Sequence, residues 1–296
     1  MTKSSNFFDK PADFSLALGG PLFQLFLRTR LSGPALELLA RRIIAITAIA
    51  WLPLLLLTTL AGQVISGVQL PFFFALDTHV RFLVALALLI AAELFVHEWS
   101  RSIIRQFLDR GLIAPDDRPR FDAIVASALY LRNSIGVELL LAGLAFAGHW
   151  LTLSLVSDVT AWYGVPVNGH LQYTPAGYWA AFISFPIFRF IALRWYLRIF
   201  IWYRFLWQVA RLPLRLNTLH PDRAGGLGFL TQSLFAFAPV LLAHTIVMAG
   251  AIGNRIWQAG ATLADFKLEI VGIIIFLLLI VVLPLTFFSA QVTYAK

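Results

Sequence analysis

The sequence predicts an all-α fold: a polytopic bundle of six transmembrane helices with both termini cytoplasmic. Three observations predict it. The chain of 296 residues is 59% hydrophobic and only 13% charged, where a soluble domain carries about 25% charged residues, and its mean hydropathy is +0.80. Six stretches stay apolar for roughly 18 residues or more, the length that crosses a bilayer: Ile43–Ala61, Phe82–Trp99, Ile135–Val156, Tyr178–Arg198, Phe229–Gly253 and Glu269–Phe288. Finally, nineteen of the twenty-three Lys and Arg residues lie on one side of that pattern. Basic residues stay on the cytoplasmic side of a membrane, which sets the orientation.

The first element, residues 1–42, reads as a cytoplasmic interfacial segment. Leu22, Phe23, Leu25, Phe26 and Leu27 beside Arg28 and Arg30 suit a short helix lying among headgroups. Ser32 is placed as N-cap and Pro34 near the first helical position of a helix that runs into span one. No cleavable leader pattern stands at the start, so span one is expected to act as an uncleaved signal-anchor. The spans occupy residues 43–288. Span two is expected to continue past the membrane to Arg110, with Gly111 just beyond its end. Asp116 or Asp117 caps the next helix, with Pro119 in its first turn. The result is a cytoplasmic helical hairpin over about residues 100–134, leading into span three. The outward connection Ser157–Ala176 carries Trp162, Tyr163, Gly164, Pro166, Asn168 and Gly169, which is turn chemistry with interfacial aromatics. Pro186, Pro239 and Pro284 are expected to bend spans four, five and six. Residues 289–296 form a short cytoplasmic tail.

The net charge of +8 follows from the one-sided arginines and needs no nucleic-acid partner. The chain has no cysteine, which excludes disulfides, thiolate metal sites and cysteine nucleophiles. His97-Glu98-Trp99-Ser100-Arg101 is not a zinc-protease motif, because Arg101 stands where the second histidine must be. There is no G-x-S-x-G, and no aspartate lies within the apolar core of a span, so neither a serine hydrolase nor an intramembrane aspartyl protease is supported. No metal site or cofactor is expected. His149 and His244 fall at similar depth and are the one pair that could face each other as axial haem ligands.

Ionisable residues inside a span cost roughly 2.5–3.5 kcal/mol each on insertion scales, so each asks for a reason. Glu93 and His97 share one row of span two with Arg101. Glu138 in span three and Arg189 in span four fall in the same half of the bilayer. Glu93, His97, Glu138 and Arg189 are therefore candidates for a small-ion or proton pathway, or for an ion-pair network that joins the helices. Arg194, Arg198, Arg204 and Arg211 share an arc of the fourth helix and are expected to meet anionic headgroups or a cytoplasmic protein partner. Their spacing is not that of a voltage sensor. Gly143 and Ala147 make a small-residue face suited to close helix contact within a chain or in a homo-oligomer.

His220-Pro221-Asp222-Arg223-Ala224-Gly225-Gly226-Leu227-Gly228 is the most distinctive short stretch. Its backbone N–H groups at Gly225, Gly226 and Gly228, with Arg223, could cradle a phosphate or lipid headgroup. Alternatively it is a tight interhelical turn capped by Asp222. It is neither a Walker A sequence nor a dinucleotide fingerprint. This stretch followed by a long apolar helix, together with His79–Leu86 and Glu93, resembles a group of uncharacterised bacterial multi-pass membrane proteins. The resemblance implies a bacterial inner-membrane location and carries no activity. The sequence thus leads to a non-enzymatic membrane protein with an ion or proton pathway. The rivals are a membrane anchor or assembly subunit that recruits a cytoplasmic partner, and a haem-binding electron carrier.

Overall fold

A computed structural model describes residues 14–31, 33, 38–153, 160–167, 170–217, 220–222, 224–289, 291 and 293, with side chains except at 149–153, 170, 233 and 234. In chain order the main elements are α1 (Pro21–Arg28), α2 (Leu39–Leu60), α3 (Leu76–Asp109), α4 (Arg118–Arg132), α5 (Ile135–Leu153), β1 (Gly164–Val167), β2 (His170–Tyr173), α6 (Pro175–Val209), α7 (Ala238–Ala259) and α8 (Leu263–Thr286). The fold is an all-α bundle. Among the described residues, α2, α3, α6, α7 and α8 are each long and apolar enough to cross a membrane. A sixth crossing is made if Pro115–Arg132 and Ile135–Gly148, bent by 43°, form one broken span. Large apolar side chains such as Ile44, Leu56, Leu140 and Leu278 face outward, and Leu268 is 85% exposed. Side chains of this kind, ranged along helices of spanning length, are solvated by lipid and not by water. The chain is a multi-pass membrane protein.

Pro53 and Pro284 lie inside α2 and α8, and α6 repairs the break that each makes. A proline at position i has no N–H for the carbonyl at i−4. Pro53 in α2 frees the Ile49 carbonyl, and the Trp179 indole N–H donates to it at 3.1 Å. Pro284 in α8 frees the Ile280 carbonyl, and the Tyr203 hydroxyl donates to it at 2.6 Å. Beside the first repair, the Ser184 hydroxyl donates to the Ala50 carbonyl at 2.6 Å. Pro186 follows a wide, π-helical turn at Ala180–Ser184, as expected for a disturbed ladder. Pro239 does not bend a span: it sits in the first turn of α7, where a missing N–H is harmless. The fifth span consequently begins at Ala238, not at Phe229, and Gln232–Ala236 is a separate short helix.

α7 crosses the start of α3 at small residues. A Cβ built on Gly250 would lie 2.2 Å from Val80 Cγ2, inside a second wide turn at Val80–Ala85. The Gly143 and Ala147 face of α5 points outward, and among the described residues nothing lies within 4 Å of a Cβ built on Gly143.

The end of the bundle opposite the arginines holds a feature beyond the expected turns. β1 and β2 pair antiparallel, with Gly164 opposite Tyr173 and Val167 opposite His170. Leu70 joins them through Leu70 N–H to the Thr160 carbonyl at 3.1 Å and Trp162 N–H to the Leu70 carbonyl at 3.0 Å. Trp162 is buried there edge-on to Phe72, with ring centroids 5.1 Å apart. His79 Nδ1 accepts from the Trp51 indole at 3.0 Å, so its Nε2 carries the proton and donates to the Phe72 carbonyl at 2.9 Å.

The largest core lies at the arginine-rich end. Phe107 of α3, Phe121 of α4, Phe205 of α6, Phe229 and Phe14 pack with ring centroids 5.1–6.4 Å apart. α3 ends as expected, with Gly111 in the left-handed region at φ 64°. Asp117 is the N-cap position of α4, although its carboxylate pairs with Arg120 at 3.1 Å and makes no cap hydrogen bond. Ser32 and Pro34 lie outside the described residues, and α2 starts after Leu38. In the tail, Gln291 donates to the Ala210 and Leu212 carbonyls, tying residue 291 to the end of α6.

Candidate functional site

Glu93 lies on the buried face of α3, one turn from Leu89 and from Val96. A carboxylate there needs cations, and three supply it. Arg198 Nη2 donates to Glu93 Oε1 at 2.7 Å. Arg42 Nη2 reaches Oε2 at 3.0 Å, and Arg194 Nη1 stands 3.8 Å from Oε1. Arg194 Nε continues to Glu138 Oε1 at 3.1 Å. Helices α2, α3, α5 and α6 thus meet in one charged cluster, sealed enough that Arg42 is 0% exposed. Arg198 also stacks over Trp195, whose indole N–H donates to the Leu89 carbonyl at 2.9 Å.

The cover of this cluster is the segment before α1. Phe14, Ser15, Leu16, Ala17 and Leu18 are all buried. Extended and turning backbone needs partners, and four helices provide them. Leu16 N–H donates to Ser100 Oγ at 3.4 Å, Gly20 N–H to Asn133 Oδ1 at 3.1 Å, and Leu22 N–H to Glu138 Oε2 at 3.0 Å. Arg198 donates to the Ala17 carbonyl at 3.3 Å, and Arg132 to the Ser15 carbonyl. Gly19, at φ 125°, lies where a Cβ would fall 2.6 Å from Arg132 and Asn133. The expected headgroup helix exists as α1, with Leu25 and Leu27 exposed. The residues just before it enter the bundle instead of lying on its surface.

His97 stands at the edge. Ser15 Oγ accepts from Ala17 N–H and Leu18 N–H, and its own hydroxyl is 2.8 Å from His97 Nδ1. The hydroxyl therefore donates to Nδ1, which leaves the ring proton on Nε2. The same ring lines an open groove of about 420 Å³ with Glu98, Arg101, Ser102, Arg105, Gln106 and Asp109.

Of the four candidates for a polar pathway, Glu93 and Glu138 come together through Arg194, and His97 joins them through Ser15. Arg189 is placed apart: its guanidinium lies 5.6 Å from the Phe185 ring and against Gly148, with Arg81 over the same ring at 5.1 Å. Arg194 and Arg198, expected to meet headgroups, point inward. The expected spans put these arginines and Arg42 at the membrane edge, with span four ending at Arg198 and span one starting at Ile43, whereas α6 runs on to Val209 and α2 starts at Leu39. The signal was present: two carboxylates in apolar helices need cations at their own depth, and Arg194 and Arg198 stand one turn apart there. Farther along α6, Arg204 donates to Ser127 Oγ at 2.8 Å and Arg211 lies over Trp207 at 3.6 Å.

The glycine loop holds an anion of its own. Ala224, Gly226 and Gly228 N–H groups donate to the Asp222 carboxylate at 2.9, 3.1 and 2.8 Å. Gly225 and Gly226 take φ 67° and 95° to aim them. Partial burial alone would raise the pKa of Asp222, but these donors and His220, 2.9 Å away, outweigh it and hold the carboxyl down at about 2. Arg110 ties the loop to the end of α3 through the Gly226 carbonyl at 3.1 Å. Arg223 lies outside the described residues.

His244 Nδ1 is 2.7 Å from the Val240 carbonyl, which can only accept, so Nε2 is the unprotonated nitrogen, and the Tyr196 hydroxyl donates to it at 2.5 Å. That nitrogen is the one a haem iron would take. The His149 side chain lies outside those described. Among the described residues no group of three His, Cys, Asp or Glu side chains could hold a metal ion.

Fold and site together define a multi-pass helical membrane protein with a covered Glu and Arg cluster in its basic half. Comparison with protein-family models, with curated proteins and with solved structures gives no match.

Proposed function

We propose that this chain is a non-enzymatic protein of the bacterial inner (cytoplasmic) membrane that carries a small-ion or proton pathway through the Glu93 cluster. The observation that carries the reading is the position of His97. Its ring lines the open basic groove, and its Nδ1 bonds the segment that lies on the buried carboxylates. A polar route runs from the groove through His97 and Ser15 to the arginine-held carbonyls of Ser15 and Ala17, then to Glu93, Arg194 and Glu138. Phe14–Leu18 close that route, so conduction requires them to move. Arg42, Arg132, Arg194 and Arg198 outnumber the two glutamates, and that excess positive charge favours a small anion over a metal cation. The one-sided arginines support a cytoplasmic position for both termini and the groove, and the His220–Gly228 resemblance supports a bacterial host.

The test is flux in liposomes that contain the purified protein, read with a proton-sensitive dye and a halide-sensitive dye. Glu93→Gln is expected to abolish flux. Because it strips the shared counter-charge from buried arginines, at a cost of about 3–5 kcal/mol, His97→Gln serves as a gentler second variant and is expected to slow flux while the fold is kept. Silent wild-type liposomes would sink the pathway. A second reading, a membrane anchor for a cytoplasmic protein, is supported by the outward face of the hairpin, where Tyr130 is 81% exposed. Stoichiometric co-purification with a soluble protein, together with silent liposomes, would establish it. The outward Gly143 and Ala147 face supports self-association as the form either function takes.

A further inference from the structure

The geometry points to a second site, independent of the pathway: a cleft between α3, α6, α7 and α8 that binds a neutral lipid alcohol through its hydroxyl group. The cleft has a volume of about 320 Å³, within the range of small-molecule pockets, about 300–1,000 Å³. Leu89, Phe188, Ala192, Val247, Met248 and Ile273 make its apolar wall, and among the described residues no charged side chain lines it. α8 is exposed along almost its whole length and Tyr196 is 38% exposed, so the way in is sideways from the hydrocarbon of the bilayer.

One polar pair sits in this wall, and its hydrogen-bonding capacity can be counted. His244 gives its Nδ1 proton to the Val240 carbonyl and its Nε2 lone pair to the Tyr196 hydroxyl. Tyr196 has used its only proton. What remains is the pair of acceptor lone pairs on Tyr196 Oη. A ligand carbonyl would meet oxygen with oxygen. An ion would leave water for an apolar wall without a counter-charge, at prohibitive cost. A hydroxyl on a hydrocarbon body satisfies the tyrosine oxygen, and its tail satisfies the wall. Holding α6 to α7 is the other task of a Tyr–His bond, and that task leaves the lone pairs indifferent to any ligand.

The test measures equilibrium binding of radiolabelled farnesol and of farnesyl methyl ether to the full-length protein in detergent micelles. The two probes share a hydrocarbon body and differ in one donated proton. The alcohol is expected to bind about tenfold tighter, the worth of one hydrogen bond in an apolar site. Tyr196→Phe alone frees His244 Nε2 to accept in place of the hydroxyl, so the double variant Tyr196→Phe/His244→Leu, which removes both acceptors, is the one expected to erase the difference. Ala192→Leu, which narrows the cleft without touching the polar pair, is expected to weaken both probes together. It keeps the question open to refutation should the double variant fail to fold. Equal affinity for alcohol and ether, a preference that survives the double variant, saturable binding indifferent to Ala192→Leu, or no saturable binding at all would each overturn the proposal.

Discussion

Asp222 acts on its loop only as an anion. Its carboxyl sits at about 2, against roughly 3.9 for an aspartate in an unfolded chain. The folded pKa is the lower one, so the stabilisation is fully present above about pH 4 and is lost as pH falls toward about 2. Asp222→Asn is expected to lower stability at neutral pH by about 1–2 kcal/mol and to flatten the acid limb of the thermal-melting profile across that window. An unchanged acid limb would contradict the assignment. Gly228→Ala should do similar damage, since its Cβ would fall 2.9 Å from Asp222 Oδ2. The donors of this loop were legible in the sequence as a glycine-rich cradle. Their acceptor was legible too, as the Asp222 cap of the alternative tight turn; what the sequence left open was whether the cradle takes that carboxylate or an external anion, and the structure gives it Asp222. Glu93 and Glu138 were legible because a carboxylate in an apolar helix stands out, whereas its arginine partners look like ordinary membrane-edge cations.

At the scale of elements, α6 is the common partner. Its Trp179 and Tyr203 take up the carbonyls released by Pro53 and Pro284 in two different helices. Tyr203→Phe leaves the Ile280 carbonyl with no donor in hydrocarbon. It is expected to cost about 0.6–2 kcal/mol and to loosen α8, read as faster amide exchange confined to that helix. Exchange spread evenly over the bundle would argue against the specific repair. The hairpin end depends on a close approach, with a Cβ on Gly177 falling 1.8 Å from the Tyr163 carbonyl oxygen. Gly177→Ala should therefore unseat the hairpin and expose the buried Trp162, seen as a red shift in tryptophan fluorescence without loss of helix signal. Apolar run length made the spans legible, although their ends drifted wherever a charge or a proline intervened: span four runs past Arg198, and span five starts late, at Ala238 beside Pro239. The hairpin escaped because its strands are four residues each and contain Gly164 and Pro166, residues that weaken a strand. The Asn168-Gly169 pair between them was the available signal.

For the whole molecule, the bent pair α4 and α5 decides the number of crossings. The chain has no cysteine, so single cysteines can be placed freely. Tyr130→Cys on α4 and Val167→Cys on β1 are both exposed positions, separated in sequence by α5. A membrane-impermeant maleimide is expected to label them from opposite faces, position 130 from the cytoplasmic face. Labelling from one face would reduce the crossings to five and invert everything after α4. The multi-pass set of apolar helices, the one-sided arginines and the lipid-facing exterior were legible from composition and pattern alone. The covering of the charged cluster was not, because it joins residues far apart in the chain: Ser15 meets His97 across 82 positions, and Ala17 meets Arg198 across 181. That separation has a consequence for biogenesis. The stretch around Ser15 leaves the ribosome long before α6 is synthesised, and so waits without its partners while the spans ahead of α6 are threaded into the bilayer. The earliest residues of this region made are thus among the last to settle, and a nascent chain stalled short of α6 should leave them open to protease.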